Sequence, residues 1–188
     1  GASTQYDIPD LVRNSYGPLT FNVPHRGKID AFYSFRLGQN AMLTLGTGLR
    51  VQSGLPINTK ADNSRYPGQY LVHVLPRGAG GQIEPNYRWD LSLSYAQAVG
   101  KTLELEIGAR VLNVTNAKAV QRVDEVYSLQ TTRPIAGGDV EDLKHAKIQA
   151  QAADQFFSRT ILARQGNYGV EAQFQAPLSA QFEMKLRF

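Results

Sequence analysis

The sequence predicts an antiparallel all-β fold with strands long enough to cross a membrane. Along five segments, apolar and polar residues alternate with a period of two, which is the period of a strand. These segments run about ten residues or longer, whereas strands of soluble sandwiches usually run about five or six. Their connections alternate between short turns and long loops, as in membrane barrels. The predicted strands cover about 19–37, 41–53, 86–96, 101–114 and 169–188, and the long loops cover about 54–85 and 115–168.

The first two strands form a predicted hairpin. The alternation runs from Lys28 to Leu37 and, after a short turn at residues 38–40, continues from Ala41 to Gln52. Successive side chains of a strand point to opposite faces, so each of these strands has one apolar face. The two apolar faces comprise Ile29, Ala31, Tyr33, Phe35 and Leu37, and then Ala41, Leu43, Leu45, Thr47, Leu49 and Val51.

The remaining three strands repeat the pattern. A second hairpin forms around a turn at residues 97–100, and the last strand runs to Phe188. Pro177 lies at the start of that strand, where its missing donor is tolerated. The three apolar faces comprise Tyr87, Trp89, Leu91, Leu93 and Tyr95, then Leu103, Leu105, Ile107, Ala109 and Val111, and finally Leu178, Ala180, Phe182, Met184, Leu186 and Phe188.

The two faces of these strands differ in chemistry. Of the 27 positions on the apolar faces, Thr47 is the only non-apolar one and none is charged. A soluble β-sandwich with its apolar face in the core would alternate in the same way, and it is the alternative from another class, as a binding module. Tyr87 and Trp89 at one end of a strand and Tyr95 at the other fit the aromatic girdles of a barrel in lipid. The opposite faces carry Lys28, Asp30, Arg36, Arg50, Arg88, Asp90, Glu104, Glu106, Arg110, Glu183, Lys185 and Arg187.

The composition excludes several classes of function. The 188 residues contain no Cys, which removes disulfide scaffolds, cysteine zinc sites, iron–sulfur clusters and thiol catalysis. The net charge of +4 is too small to indicate a nucleic-acid partner, and none is predicted. The absence of an apolar run near 18 residues excludes a membrane helix only, because hydropathy hardly detects barrel strands.

One helix is predicted within the second long loop. Asp139 can cap its first turn, and the helix is expected from about Val140 to Ala163. Its apolar residues recur at spacings of three and four and form one stripe, which predicts packing against neighbouring loop residues. The stripe comprises Leu143, Ala146, Ala150, Ala153, Phe157 and Ile161.

No enzymatic activity, catalytic residue, cofactor or metal site is predicted. His25, His73 and His145 are far apart and lack the spacing of a zinc site. Glu104 and Glu106 are neighbours on one strand face and could form a glycosidase-like pair. A hydrated charge ladder is the expected arrangement instead, together with Arg88, Asp90 and Arg110.

Four residues around the first long loop could contact a substrate that enters from outside. They are Tyr66, Tyr70, Arg77 and Tyr87. A solvated loop surface is the expected role of all four, so none is predicted as a binding residue.

Several short motifs follow one another in a definite order. They are Pro24-His25-Arg26, Ser53-Gly54-Leu55-Pro56-Ile57-Asn58, Pro76-Arg77-Gly78, Asp90-Leu91-Ser92-Leu93-Ser94-Tyr95, Leu112-Asn113-Val114-Thr115-Asn116, and the ending Phe182-Glu183-Met184-Lys185-Leu186-Arg187-Phe188. In this order they resemble the C-terminal end of a TonB-dependent outer-membrane receptor, in particular the Oar-like branch. The family's Asn-Leu-Phe-Asn-like segment is degenerate here, since Val114 and Thr115 replace Leu and Phe.

The resemblance implies a barrel of about twenty-two strands around a plug domain, in the outer membrane of a Gram-negative bacterium. It implies movement of a substrate across that membrane, driven through TonB, in a direction that these residues do not specify. It also implies contacts with lipid, with lipopolysaccharide and with the barrel assembly machinery, which would bind the strand ending in Phe188. A passive porin or an autotransporter-type barrel is the alternative within membranes.

Counting the strands predicts a topology. If Phe188 is periplasmic, the two short turns are periplasmic, the two long loops are extracellular and Gly1 is extracellular too. Five strands are too few to close around a lumen. We therefore expect the chain to be the end of a larger barrel, either as a proteolytic product or as part of a longer protein. The other strands, the plug and the TonB-contacting segment would then lie outside these 188 residues.

Overall fold

A computed structural model describes residues 9–63, 70–100, 102–147 and 161–188. Within these ranges antiparallel strands dominate and α-helix is confined to the single turn α1, Pro9–Val12, which confirms the all-β prediction. No helix in the described part is long and apolar enough to cross a membrane. The strands are β1 Arg26–Leu37, β2 Ala41–Gln52, β3 Lys60–Asn63, β4 Tyr70–His73, β5 Asn86–Val99, β6 Leu103–Leu112, β7 Val120–Val123, β8 Val126–Ser128, β9 Glu171–Phe174 and β10 Ser179–Arg187.

The chain divides into two compact units. The first, called the sheet unit, comprises Pro24–Ser53, Pro85–Ala119 and Phe174–Phe188. The second, called the loop unit, comprises Gly1–Val23, Gly54–Glu84 and Val120–Gln173. The sheet unit therefore contains the five long strands, and the loop unit contains most of the residues predicted to form long loops.

The sheet unit is one antiparallel sheet in the order β1-β2-β5-β6-β10. Its register aligns the apolar positions, because Tyr33 pairs with Leu45, Leu45 with Leu93, Leu93 with Ala109 and Ala109 with Phe182. Directly paired residues point to the same face, so every neighbouring row keeps this arrangement across the sheet. The five predicted apolar faces form one continuous face, and the charged positions occupy the other.

The short turns of the sheet lie at one of its ends. Gly38 and Gly100 adopt φ angles of 75° and 71°, in the left-handed region that side chains with a Cβ rarely adopt. Between the two hairpins, the backbone N–H of Ala98 donates to the carbonyl oxygen of Asn40 at 2.8 Å. The strands are joined to their long connections at the opposite end of the sheet, which we call the long-connection end.

The first and last strands of the sheet are shorter than predicted. β1 begins at Arg26 rather than near residue 19, since Pro24 has no N–H to donate to a ladder. The predicted last strand is divided, because β9 pairs with β7 in a separate two-stranded sheet and β10 begins after Pro177. Between them, the backbone N–H of Gln175 donates to the carbonyl oxygen of Ala119 at 2.8 Å.

The loop unit has a hydrophobic core of its own. In its three-stranded sheet, β3 pairs antiparallel to β4 and parallel to β8. The ring of Tyr127 packs edge-to-face on that of Tyr168 with centroids 5.1 Å apart, and the Tyr168 hydroxyl lies 2.7 Å from the Thr59 hydroxyl. The core consists of Ala61, Val74, Leu75, Tyr127, Leu143, Ala146 and Leu162. The long connections are therefore packed structure, which explains why a compact unit accommodates their length.

The helix predicted from about Val140 to Ala163 is wrong over the described residues. A five-residue 3-10 helix, Glu141–His145, replaces its first turns, and Ala146 is extended with φ −61° and ψ 133°. The backbone N–H of Leu162 then donates to the carbonyl oxygen of Ala146 at 2.7 Å, which brings the two ends of the segment side by side. Leu143 and Ala146 enter the core through this bridge and not through a helical stripe. Residues 148–160 lie outside the described residues.

Candidate functional site

The charged face of the five-stranded sheet is the candidate functional site. The register places its charged side chains in two groups, one at each end of the strands. The group at the long-connection end comprises Lys28, Asp30, Arg50, Arg88, Asp90 and Arg110, and the group at the short-turn end comprises Arg36, Glu104, Glu106, Glu183, Lys185 and Arg187.

Asp90 is the centre of the first group. Arg50 and Arg88 are directly paired across β2 and β5, and like charges in that position repel. The Asp90 side chain separates them, because its Oδ2 accepts from Arg50 Nη1 at 2.5 Å and from Arg88 Nε at 3.0 Å. Its Oδ1 accepts from the backbone N–H of Asn113 at 3.0 Å. Only 8% of Asp90 is exposed, and both oxygens of its carboxylate have hydrogen-bond partners within the protein.

Asn113 ties the end of β6 to the segment before β10. Its backbone is left-handed, with φ 52°, and 1% of the residue is exposed. The side-chain Nδ2 donates to the carbonyl oxygens of Ala117 and Ala176 at 3.0 and 2.9 Å, and Oδ1 accepts from the N–H of Ala117 at 3.0 Å. Three residues later, Asn116 is also left-handed and its Oδ1 accepts from the N–H of Leu178 at 3.1 Å. The motif from Leu112 to Asn116 is therefore a two-asparagine clamp.

The second group forms a charge ladder between β6 and β10. Arg187 lies 3.6 Å from Glu104 and 3.3 Å from Glu106. Lys185 lies 3.2 Å from Glu183 and 4.0 Å from Glu106. The two neighbouring carboxylates are therefore ion-paired to β10. Arg88, Asp90 and Arg110, which the sequence predicts in the same ladder, lie in the first group instead. Paired to cations in this way, Glu104 and Glu106 have the arrangement of a hydrated ladder.

The opposite face of the sheet presents large apolar side chains. Tyr33, Phe182 and Met184 are 65%, 81% and 68% exposed. The one non-apolar residue, Thr47, accepts a hydrogen bond from Trp89 Nε1 at 2.7 Å, so its hydroxyl has a partner within the face. A face of this kind is energetically costly in water and suited to an apolar environment.

The structure does not group the histidines singled out in the sequence. The backbone N–H of His25 donates to Ser53 Oγ at 3.2 Å, His73 ends β4 and His145 ends the 3-10 helix. No three His, Cys, Asp or Glu side chains of the described ranges come together as a metal site.

Of the four residues considered for substrate contact, the structure describes the side chains of two, and these two lie in different units. Tyr87 lies in β5 on the apolar face, half exposed, and Arg77 lies in the loop unit, where its backbone N–H donates to the carbonyl oxygen of Asn14 at 3.2 Å. Tyr66 lies outside the described residues, and so does the side chain of Tyr70.

The loop unit contains a polar cluster that the sequence does not predict. Glu125 Oε1 accepts from the backbone N–H and the Nδ2 of Asn58 at 3.0 and 2.8 Å, and Oε2 accepts from Lys60 Nζ at 2.6 Å. Burial raises the pKa of Glu125, but these hydrogen bonds outweigh burial and hold the pKa below its usual range. Asn58 Oδ1 also accepts from the N–H of Gly78 at 3.1 Å. Two of the sequence motifs, at residues 53–58 and 76–78, therefore meet here.

His73 lies beside this cluster and is held neutral. Burial lowers the pKa of its imidazole to about 4, and the charges of Arg77 and Lys60 act in the same direction against the smaller opposing effect of Glu125.

A sheet with one apolar face and one charged face, in strands of nine to fourteen residues, has the composition of a membrane-barrel wall. The chain is 29% identical over 190 aligned residues to the TonB-dependent transporter Oar of Myxococcus xanthus. The match covers 98% of this chain but only 17% of that protein, and it supports a relationship to TonB-dependent receptors over this part. No family model and no solved structure matches the chain.

Replacing Asn113 by Ala is expected to destabilise the sheet unit. The change removes the four hydrogen bonds of a buried side chain, including one that Oδ1 accepts from the Thr115 hydroxyl at 3.5 Å. It also places a Cβ-bearing residue without a side-chain amide at a left-handed position. We expect a loss of about 2–4 kcal/mol in the free energy of unfolding, measured with urea in detergent micelles by circular dichroism. Asn113→Gly keeps the backbone conformation and should lose less. Equal unfolding midpoints for Asn113→Ala and the unmodified protein would show that the clamp does not hold the sheet.

Lowering the pH from 7 to 5 is expected to weaken the loop unit through His73. Its imidazole has a pKa of about 4 in the folded unit and an ordinary value of 6.5 in the unfolded chain. Between these values the unfolded state binds more protons than the folded state. The stability that neutral His73 contributes is therefore complete above about pH 6.5 and is lost progressively towards about pH 4. Amide hydrogen exchange of β3 and β4, corrected for intrinsic rates, measures this loss.

His73→Gln is the matched variant for this measurement. Its protection should stay level between pH 7 and 5, because the lowered pKa of Glu125 acts only around and below its ordinary value of 4.5. A slope in the variant as steep as that of the unmodified protein would assign the pH dependence to another group.

Proposed function

We propose that the chain is the C-terminal barrel part of a TonB-dependent transporter in the outer membrane of a Gram-negative bacterium. Its apolar face anchors in lipid, and its charged face lines the lumen. The observation that carries this proposal is the register, which joins five separate apolar faces into one without a charged residue. Similarity to the Oar transporter over 98% of the chain supports the assignment to this type of transporter.

The dimensions of the strands support a place in a bilayer. β1 and β2 each have 12 residues. At about 3.3 Å per residue and a tilt near 45°, a strand of this length rises roughly 28 Å, which is close to the roughly 30 Å of the hydrocarbon core. The clusters of Tyr87 and Trp89 at one end and Tyr95 at the other then lie near the two interfaces, where aromatic side chains are favoured.

The edges of the sheet support a larger barrel. Within the described residues, β1 pairs only with β2, and β10 pairs only with β6. Backbone groups that are left unpaired in lipid cost several kcal/mol each, so both edges require further strands as neighbours. We propose that the rest of the same receptor supplies these strands, together with a plug in the lumen and the segment that contacts TonB.

The remaining partners follow from this placement. Lipid and lipopolysaccharide surround the apolar face, and the barrel assembly machinery binds the strand that ends in Phe188. The loop unit contributes to the extracellular vestibule, where its own core keeps it folded in water. In this scheme the chain has no catalytic role, and the sheet serves transport as a scaffold.

Two adjacent positions of β5 test which face meets lipid. Leu93 lies on the apolar face and Ser94 on the charged face, and the chain itself contains no Cys. Leu93→Cys and Ser94→Cys are made in the membrane-embedded protein, with any cysteine outside this chain replaced. Because a thiol must ionise in water to react, a small water-soluble maleimide should label Ser94→Cys and leave Leu93→Cys unlabelled. A fluorophore attached to the unfolded protein before its insertion into the membrane should be quenched by brominated lipid at position 93 but not at position 94.

A soluble β-sandwich would give a different result in these experiments. A soluble β-sandwich would protect position 93 from both reagents, and the protein would enter the aqueous phase without detergent. Extraction without detergent would rule out every membrane assignment, including a passive porin.

A further inference from the structure

We infer that Arg110, together with Arg50 and Arg88, forms a site for a carboxylate or phosphate group on the charged face of the sheet. This inference rests on the proposed function, because it requires that the charged face be in contact with water. It adds to that function a chemical class of ligand.

The site is a groove at the long-connection end of the face. Its volume is about 640 Å³, and its lining includes Arg50, Arg88, Arg110 and Gln181. Gly46 and Gly48 of β2 also line the groove, and they leave room for side chains of neighbouring strands. A Cβ at position 46 would overlap the Ser92 hydroxyl, and one at position 48 would lie 2.9 Å from Asp30 Oδ1. The two glycines therefore make room for the Ser92 and Asp30 side chains, which also line the groove.

The acidic side chains near the groove are already neutralised. Asp90 accepts from both Arg50 and Arg88, so one carboxylate serves two guanidinium groups. Lys28 lies 2.6 Å from Asp30 and neutralises it. The groove is consequently left with a surplus of positive charge.

Arg110 carries much of that surplus. It is exposed, and its side chain makes no hydrogen bond or ion pair with the described part of the chain. The nearest carboxylate along β10 is Glu183, which pairs with Gly108 in the register and lies 3.2 Å from Lys185. All five donors of the Arg110 guanidinium are therefore available to a ligand.

This arrangement suits an oxyanion. A guanidinium is planar and donates two parallel hydrogen bonds to a carboxylate or a phosphate. Asp90 holds Arg50 and Arg88 in place, so two of the three cations lose little side-chain freedom when a ligand binds. The anionic group belongs either to a solute that enters the lumen or to an acidic side chain elsewhere in the same protein.

Arg110→Gln tests the site, with Arg36→Gln as the matched control. Arg36 lies on the same face near the short-turn end, opposite Met42. Titration calorimetry of the full, detergent-solubilised protein uses citrate and inorganic phosphate as probes at constant ionic strength. If a solute fills the groove, Arg110→Gln should weaken probe binding about ten-fold or more, and Arg36→Gln should not. Arg110→Lys should restore part of the affinity, because it keeps the charge and loses the fork.

A second arm detects an acidic side chain of the protein itself. In that case the unmodified protein binds neither probe, and Arg110→Gln lowers the temperature of unfolding while Arg36→Gln leaves it unchanged. The inference is overturned if Arg110→Gln matches Arg36→Gln in both probe binding and unfolding temperature.

Labelling at position 94 separates this failure from a failure of the proposed function. If Ser94→Cys is labelled but Arg110→Gln has no effect, only the anion site is refuted. If Ser94→Cys is not labelled, the hydrated lumen itself is refuted.

Discussion

The register of the backbone hydrogen bonds in the five-stranded sheet is the constraint on which the rest of the molecule depends. Because side chains alternate, a slip of one residue at any strand pair would move charged side chains onto the apolar face. Tyr33, Leu93 and Phe182 share a face only while β1, β5 and β10 keep their pairing with β2 and β6. The contrast between the two faces therefore depends on pairing as much as on composition.

Polar contacts at the long-connection end specify that pairing. Rows of similar apolar side chains exclude a slip of one residue but distinguish poorly between registers that are two residues apart, whereas hydrogen bonds between particular partners do so sharply. Asp90 links β5 to β2 through Arg50 and to the end of β6 through the N–H of Asn113. Asn113 in turn holds Ala176, just before β10. Because Asp90 is bound to Arg50, Arg88 and the N–H of Asn113, it does not serve as a counter-charge for Arg110. The contacts that specify the pairing of the sheet therefore also leave Arg110 available to the anion that we propose.

The strands and their faces could be predicted because the period of two and the register have the same physical cause. The partners of Asn113 could not, since Ala117 and Ala176 accept through backbone carbonyls, which any residue carries. The helix prediction failed because the spacing of Leu143 and Ala146 fits a 3-10 turn followed by a bridge as well as a helix. The contact between Glu125 and Asn58 could not be predicted because the two residues lie 67 positions apart, although Asn58 belongs to one of the motifs that carry the family resemblance.

The central claim is that one face of the sheet meets lipid and the other meets water. Spin labels placed singly from Ala180 to Leu186 along β10, in the membrane-embedded protein, test it most directly. We predict that collisions with oxygen, which concentrates in lipid, and with a water-soluble nickel chelate alternate with a period of two and in opposite phase. Maximal oxygen collisions are expected at positions 180, 182, 184 and 186. Equal collision rates at successive positions, or apolar positions shielded from both reagents, would contradict the claim.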